Sequence, residues 1–347
     1  MRIAGVGTAL PPHAYDQAEL IAAFKRVWGR RHHNTERVEA LHRAVMVERR
    51  HLVLPMEDYA TLQGMKATTD AFIEAGTLLA EKALRAALDA AGMAPREVDA
   101  IYLTTVTGVC SPSIDARLVN RMGMRADVKR IPIFGLGCVA GAAGVSRLFD
   151  YMRGWPEHAA ALICLELCSL TLQKDDLSVA NLVSSGLFGD GAAAVVGRGV
   201  RGGGPRVVAT RSVFYPDTER VMGWEVQDSG FQVLLAPTIP DLVRANVPAN
   251  VDDFLRDHGV KRSDIDLWVC HPGGPKILEA FQEALGLTRD DLAVTWDCLR
   301  AHGNLSSASV LFVLHETLRR KSPSPGARGL MMAMGPGFCA ELVLLEW

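Results

Sequence analysis

The sequence predicts a layered α/β fold whose central sheets are buried on both faces. Two observations carry that expectation. Short strand-like apolar runs alternate with stretches of helical periodicity along the chain. The 347 residues hold 49% hydrophobic side chains, 22% charged ones and 32 glycines. That is a globular composition, with length enough for one large unit or two fused halves and a core that needs no staples.

The first strand is expected over 1–7. Helical spacing follows over 16–28, and a second helix with a polar, basic face over 34–46. A long helical stretch over 59–91 ends in AEKALRAALDAAG, where apolar residues recur at helical spacing and Gly92 supplies the stop. Strands over 98–105 and 128–134 lead into a helix from Cys138, and further strands fall at 159–165 and 191–196. The segment GRGVRGGGPR (197–206) lacks periodicity and is the best internal boundary. It reads either as a surface turn or as the division between an N-terminal half, 1–200, and a C-terminal half, 201–347. Beyond it the pattern resumes: a strand over 207–214, a helix over 238–258, a strand over 265–270, and helices over 273–285 and 304–319. Two last strands are expected at 330–334 and 341–346, and no short repeat suggests a solenoid.

The formal charge of −2 gives no overall basic field to recruit nucleic acid or an anionic membrane, so an acidic ligand must be met by a local patch. The start, MRIAGVGTALPP, lacks the apolar region of a signal peptide, and no apolar run approaches a membrane span. The expectation is a cytoplasmic protein without stable membrane insertion. Seven cysteines are scattered and odd in number, unlike a secreted disulfide framework. No CxxC pair has a second pair to complete a zinc site, so no metal is expected. Most of these thiols should be small buried hydrophobes.

Cys138 differs. In IPIFGLGCVAGAAGVSRLF an apolar strand runs into Gly-Leu-Gly, then the cysteine, then tiny residues that continue as an amphipathic helix. The glycines permit a sharp strand-to-helix turn, and a helix N-terminus favours a thiolate. That is a nucleophile on a turn, although a buried structural cysteine fits the same pattern. His271, in LWVCHPGGPKILEAF, sits at the carboxyl end of a strand, where it can be a base, a hydrogen-bond donor or a structural residue. Asn304 precedes a Ser-rich helix start in HGNLSSASVLF; it can be an N-cap or an amide donor aimed into a pocket. A Gly-Pro-Gly loop at 335–337 lets bare backbone approach a reacting group. In LFGDGAAAVVG, Phe188 precedes a tight turn, and Asp190 is expected to cap that turn.

Taken in order, GLGCVAG, LFGDGAAA, HPGGPKIL, GNLSSAS and GPGF resemble the type III polyketide synthases, the chalcone synthase-like branch of the thiolase superfamily. The resemblance spans nearly the whole chain, from Gly5 to Glu341. It implies a thiolase-like five-layered αβαβα fold built from two similar halves, a homodimer, and coenzyme A thioesters as substrates with no separate cofactor. By motif, Cys138 resembles the acyl-accepting nucleophile, His271 and Asn304 its partners, and Phe188 the aromatic residue at the pocket mouth. A Cys138 thiolate beside protonated His271 would take up a starter acyl-CoA. Malonyl-CoA would then lose carbon dioxide while His271 and Asn304 donate to its thioester carbonyl. The amide of Cys138 and the Gly335, Gly337 and Phe338 loop would meet the oxyanion.

By the same resemblance Val233, Cys168 and Thr171 line the cavity. The plant members carry a bulky aromatic where Val233 falls. A smaller residue implies room for a medium or long fatty acyl starter and a pyrone or resorcinol-type product, as in the bacterial alkylpyrone- and alkylresorcinol-forming members. Coenzyme A phosphates need cations, for which Arg37, Arg43, Arg49 and Arg50 are the candidates. The rival readings are a ketoacyl synthase that uses a carrier-protein thioester, and a non-catalytic partner subunit or lipid-binding protein of the same fold. HPGGP and GPGF favour the polyketide reading over the first. Retention of all three residues speaks against the second.

Overall fold

The computed structural model describes residues 1–28, 35–199, 203–321 and 323–347. The chain opens with β1 (Arg2–Ala9), β2 (His13–Asp16), α1 (Gln17–Trp28), α2 (Thr35–Ala44) and β3 (Arg49–Leu52). It continues through α3 (Gly64–Ala90), β4 (Ala100–Thr105), α4 (Ile114–Met122), β5 (Lys129–Phe134), α5 (Ala140–Gly154), β6 (Ala159–Leu167), α6 (Val179–Leu187) and β7 (Asp190–Arg198). After the boundary come β8 (Arg206–Phe214), β9 (Met222–Gln227), β10 (Gly230–Leu235), α7 (Ile239–Asp257), β11 (Leu267–Cys270), α8 (Pro275–Leu285), α9 (Ala293–His302), α10 (Ser309–Arg320), β12 (Arg328–Gly335) and β13 (Cys339–Glu346).

Strand periodicity builds the layers. In β4, β6 and β7, Tyr102, Leu162 and Val195 face one apolar cluster, while their neighbours Leu103, Ile163 and Ala194 face another. In β12, Met331 and Ala333 join the first of these clusters, and Leu330 and Met332 turn to a third. The shared cluster holds α5 and α10, through Val145, Leu148, Val310 and Leu314, between the two sheets. Leu84 and Leu88 of α3 cover the outer face of the first sheet with Leu118 of α4. Val247, Val251 and Phe254 of α7 cover the second with Phe281 of α8. Helix, sheet, helix, sheet, helix: the five expected layers are present.

The strands run in the order β11-β12-β13-β8-β1-β7-β6-β4-β5. The first half pairs β1 with β7 and β7 with β6 antiparallel, then β6 with β4 parallel. The second repeats this as β8 with β13, β13 with β12, and β12 with β11. The first sheet adds β5, parallel to β4. Between the sheets the ladder is a single pair, Arg2 with Arg206.

Several helices start later than their periodicity suggests. The 59–91 stretch begins as a turn at Asp58–Ala60, with α3 from Gly64. The helix expected from Cys138 starts at Ala140, and the one expected from Asn304 starts at Ser309, each after a 3-10 turn. Asn34, and Val200, Arg201 and Gly202 of the boundary, lie outside the described residues; the 200/201 division falls among them. Not anticipated were β2 with β3, the β9–β10 hairpin, α4, α6 and α9. Among the described residues no helix is long and apolar enough to cross a membrane.

Candidate active site

Cys138 lies on the turn Gly137–Val139 that joins β5 to α5. Gly137 has φ +57°, and a Cβ there would fall 2.7 Å from Pro336. This turn therefore needs glycine to bring the Gly-Pro-Gly loop against the nucleophile. Gly335 completes the contact from the other side, where a Cβ would sit 2.6 Å from the amide nitrogen of Val139.

His271 follows the last residue of β11 and extends the ladder, its amide donating to Met332 O at 2.9 Å. Asn304 is fixed from two directions. Its backbone forms an isolated bridge with Phe188: Asn304 N donates to Leu187 O at 2.9 Å, and Gly189 N to Asn304 O at 3.0 Å. Its Oδ1 accepts from Ser306 N at 2.8 Å and from Ser309 Oγ at 3.4 Å. Nδ2 is left to donate towards Gly273 O, at a long 3.3 Å. The capping and donor readings of Asn304 are thus compatible, because capping with the oxygen is what orients the nitrogen.

Cys138, His271 and Asn304, distant in sequence, line one chamber of about 510 Å³. They are 8%, 4% and 2% exposed, so the chemistry available there is largely dry. Cys138 Sγ donates to Ser306 Oγ at 3.7 Å, and Ser306 is held at φ +47°, a backbone region uncommon for serine. Neither ring nitrogen of His271 has a hydrogen-bond partner among the described residues. Two buried donor–acceptor atoms without partners face a cavity that a polar substrate group can fill.

Burial pushes the Cys138 thiol up to about 12, against the pull of Ser306, and with a further push from the Glu166 carboxylate. Burial alone lowers His271 to about 3. The thiolate favoured by a helix start is therefore outweighed by desolvation when each group is taken singly. Glu166 is itself wholly buried, accepting from Ser307 Oγ at 2.5 Å, Val106 N at 3.1 Å and Thr107 Oγ1 at 2.9 Å. Burial raises its pKa too. A charge on sulfur is tolerable here only if its proton moves to a group that gains by holding it.

The chamber's far wall differs from expectation. Phe188, Trp224 and Val233 line it and also line a second, smaller cavity of about 140 Å³. In the β9–β10 hairpin, Val233 pairs directly with Trp224, whose ring lies 6.3 Å from that of Phe188. Trp224 thus places bulk beside Val233 from across the hairpin. Cys168 and Thr171 line the smaller cavity and are not among the residues lining the main chamber. Of the Gly-Pro-Gly-Phe loop, Pro336 and Phe338 reach the chamber, whereas Gly335 and Gly337 do not line it. The Phe338 amide is already committed to Thr218 Oγ1 at 2.7 Å, so it is not free to meet an oxyanion.

Arg50 is 2% exposed. Its Nη1 donates to Ser185 O at 2.6 Å and to Phe188 O at 2.7 Å, and its Nε to Gln17 Oε1 at 3.2 Å. It anchors the end of α6 beside Phe188 and is turned away from any phosphate in solvent. Arg43 is paired with Glu39 at 2.8 Å and Arg49 with Asp16 at 3.2 Å. Neither these two nor Arg37 lines the chamber. Asp190 does not cap its own turn. It accepts from Val53 N, Ser169 N and Ser169 Oγ, tying two loops to the sheet, and burial raises it to about 6.

Ser306, Glu166 and Trp224 went unrecognised in the sequence. For Trp224 a signal was available. The Asp228-Ser229 turn between two alternating runs sets Gln227 opposite Gly230 and hence Trp224 opposite Val233.

Two halves of like topology lining one chamber, together with the likeness to known proteins, make this a thiolase-fold, carbon–carbon bond-forming acyltransferase. Residues 1–200 match the N-terminal domain of chalcone and stilbene synthases and residues 206–346 the C-terminal domain, and the chain belongs to that family, the type III polyketide synthases. A 1,3,6,8-tetrahydroxynaphthalene synthase of Streptomyces peucetius subsp. caesius is 51% identical over 99% of this chain and 93% of its own length. A 3,5-dihydroxyphenylacetyl-CoA synthase of Streptomyces toyocaensis is 33% identical over 100% of this chain and 90% of that protein. The crystal structure of the 1,3,6,8-tetrahydroxynaphthalene synthase of Streptomyces coelicolor A3(2), a bacterial type III polyketide synthase, superposes with a TM-score of 0.95 at 32% identity. That match covers 100% of this chain and 99% of that one.

Proposed function

We propose that this chain builds a polyketide from malonyl-CoA on a Cys138 thioester, with His271 and Asn304 holding the reacting carbonyl. The observation that carries the reading is the convergence of all three side chains on one chamber. Cys138 sulfur attacks the starter thioester, its proton passing to His271 and on to the departing coenzyme A sulfur. The carbon–carboxylate bond of malonyl-CoA then breaks, carbon dioxide leaves, and the electron pair settles as an enolate. The enolate oxygen takes hydrogen bonds from His271 and Asn304 Nδ2. Its carbon attacks the Cys138 thioester, forming the carbon–carbon bond and releasing the sulfur. Half-buried Phe188 keeps water from the carboxylate. No metal or redox group enters the scheme.

The starter has two candidates. The 51% identical relative is a tetrahydroxynaphthalene synthase. Ten ring carbons with alternating oxygens fit five two-carbon units, so malonyl-CoA alone would suffice, in a chamber that Trp224 closes. A medium or long fatty acyl starter, giving a pyrone or resorcinol-type product, is favoured instead by the apolar cavity behind Phe188, Trp224 and Val233. Incubation with malonyl-CoA alone, then with acyl-CoAs of graded length, followed by product mass spectrometry, separates them. No product under either condition would refute the synthase reading. Trp224→Ala joins the two cavities and is expected to shift turnover towards longer starters by about tenfold or more, a methylene in an apolar pocket contributing about 1 kcal/mol. An unchanged chain-length profile would show that the wall does not set it.

The electrostatics make a second prediction. Burial, with the Glu166 charge and against the Ser306 hydrogen bond, pushes the Cys138 thiol up to about 12, so in this reading its reactivity at neutral pH depends on His271 as proton acceptor. In His271→Ala, alkylation of Cys138 by iodoacetamide, read by peptide mass, should be at least about tenfold slower at neutral pH. It should climb with pH towards the alkaline value set by burial. Coincident profiles in wild type and variant would mean that the imidazole does not take the proton.

A further inference from the structure

We propose that Arg50 and Ser184 form an anion subsite behind Phe188 and Trp224, which receives the carboxylate at the far end of an acyl chain carried on Cys138. The subsite rests on the synthase reading above and names the class of chain which that reading left open. Two cationic side chains, Arg50 and Lys174, line the smaller cavity, and among the described residues no aspartate or glutamate does. Lys174 is engaged, its Nζ donating to Leu62 O at 2.8 Å and to Ala60 O at 3.1 Å. Arg50 uses only Nε and Nη1, and its Nη2 has no partner among the described residues. Asp190 acts on the guanidinium through space but gives its oxygens to Val53 N, Ser169 N and Ser169 Oγ. Neither it nor any other described carboxylate forms an ion pair with Arg50. A buried cation in that position is costly, and an anion of matching shape relieves it.

Ser184 brings a second orphan atom to the same cavity. Its Oγ is buried and unpartnered among the described residues, and the side chain lines the cavity from α6. The bonds from Arg50 Nη1 to Ser185 O and Phe188 O fix the guanidinium at the end of α6 that carries Ser184. Arg50 and Ser184 are 2% and 7% exposed, so water competes little for either. A chain from the nucleophile passes Phe188, Trp224 and Val233, which border both cavities. Cys168, which lines the smaller one, feels the charge of Cys138. Leu20, Phe24 and Leu172 on the remaining walls suit methylenes. A hydrocarbon tail would fill the space yet leave Nη2 and Oγ unsatisfied, whereas a carboxylate offers an oxygen to each. The subsite therefore favours acid-ended chains, malonyl among them, over fatty ones.

The test is a loading competition on the whole enzyme, read by intact mass as acyl adducts on Cys138. Succinyl-CoA competes with 4-methylpentanoyl-CoA, and glutaryl-CoA with 5-methylhexanoyl-CoA. Each pair differs only in terminal oxygens against terminal methyls. Wild type should load the acid-ended member at least about tenfold faster at one length or both. Ser184→Ala should lower that ratio about fivefold, and Arg50→Gln more than about tenfold. Arg50→Lys should fall between wild type and Arg50→Gln. A purely structural role would slow both members of a pair together and leave the ratio alone. A wild-type ratio near one at both lengths, or a ratio unmoved by Ser184→Ala, would overturn the subsite, whether or not the Arg50 variants fold. Methyl-ended adducts would in that case still support the synthase reading. Absence of an adduct from all of these thioesters and from malonyl-CoA would refute both.

Discussion

Replacing Cys138 with alanine should end polyketide formation while leaving malonyl-CoA decarboxylation running. The two steps use different groups. Carbon–carbon bond formation by this mechanism needs an acyl thioester on sulfur, and among the described residues no other side chain lining the chamber offers a thiol. Loss of carbon dioxide needs only donors at the developing enolate oxygen, which in the proposed mechanism are His271 and Asn304 and not the sulfur. Removing a nucleophile that acts as part of a unit typically costs at least about 10⁴-fold in turnover. The Cys138 side chain is small and the turn beneath it is held by Gly137, so the fold should survive. Product mass spectrometry should find no condensed product, and acetyl-CoA should still accumulate from malonyl-CoA. Condensed product at even a hundredth of the wild-type rate would remove Cys138 from its role.

The second large effect is expected from Asn304→Asp. The carboxylate keeps an oxygen where Oδ1 accepts from Ser306 N and Ser309 Oγ, so the turn into α10 stays capped. What disappears is the Nδ2 donor, and a negative charge takes its place beside an oxygen that is itself becoming negative. Losing one preorganised donor costs roughly 3–4 kcal/mol of barrier, or about 10²–10³-fold. Repulsion adds to that. Decarboxylation and condensation should therefore fall together, in contrast to Cys138→Ala, where they part. Circular dichroism and melting temperature should stay near wild type. If decarboxylation proceeded at the normal rate, the amide would be a cap and nothing more.

The three candidate side chains that meet at one chamber were legible because each is marked by its neighbours. Glycines shape the turn before Cys138, a proline-glycine break ends the strand before His271, and a serine-rich helix start follows Asn304. These features are local, and order along the chain joined them. The errors arose where the answer depended on an element that periodicity does not announce. Arg49 and Arg50 look alike as a basic pair, yet they lie in the short strand β3, where successive side chains face opposite ways. Arg49 meets solvent and Arg50 goes inside. Val233 suggested space because its partner across an unanticipated hairpin was not visible. Cys168 and Thr171 were placed at the cavity, but they line the smaller of the two that share Phe188 and Trp224 as a wall.

The thin seam between the sheets, one residue pair wide, has a bearing on how the enzyme comes into being. During synthesis the sulfur nucleophile emerges with the first half, but the imidazole and the amide arrive only with the second. Until the later half docks, α5 has a bare flank and its thiol no acid–base companion. On the proposed mechanism a nascent chain without the second half would not load acyl groups, and the α5 flank that the second half covers would lie open.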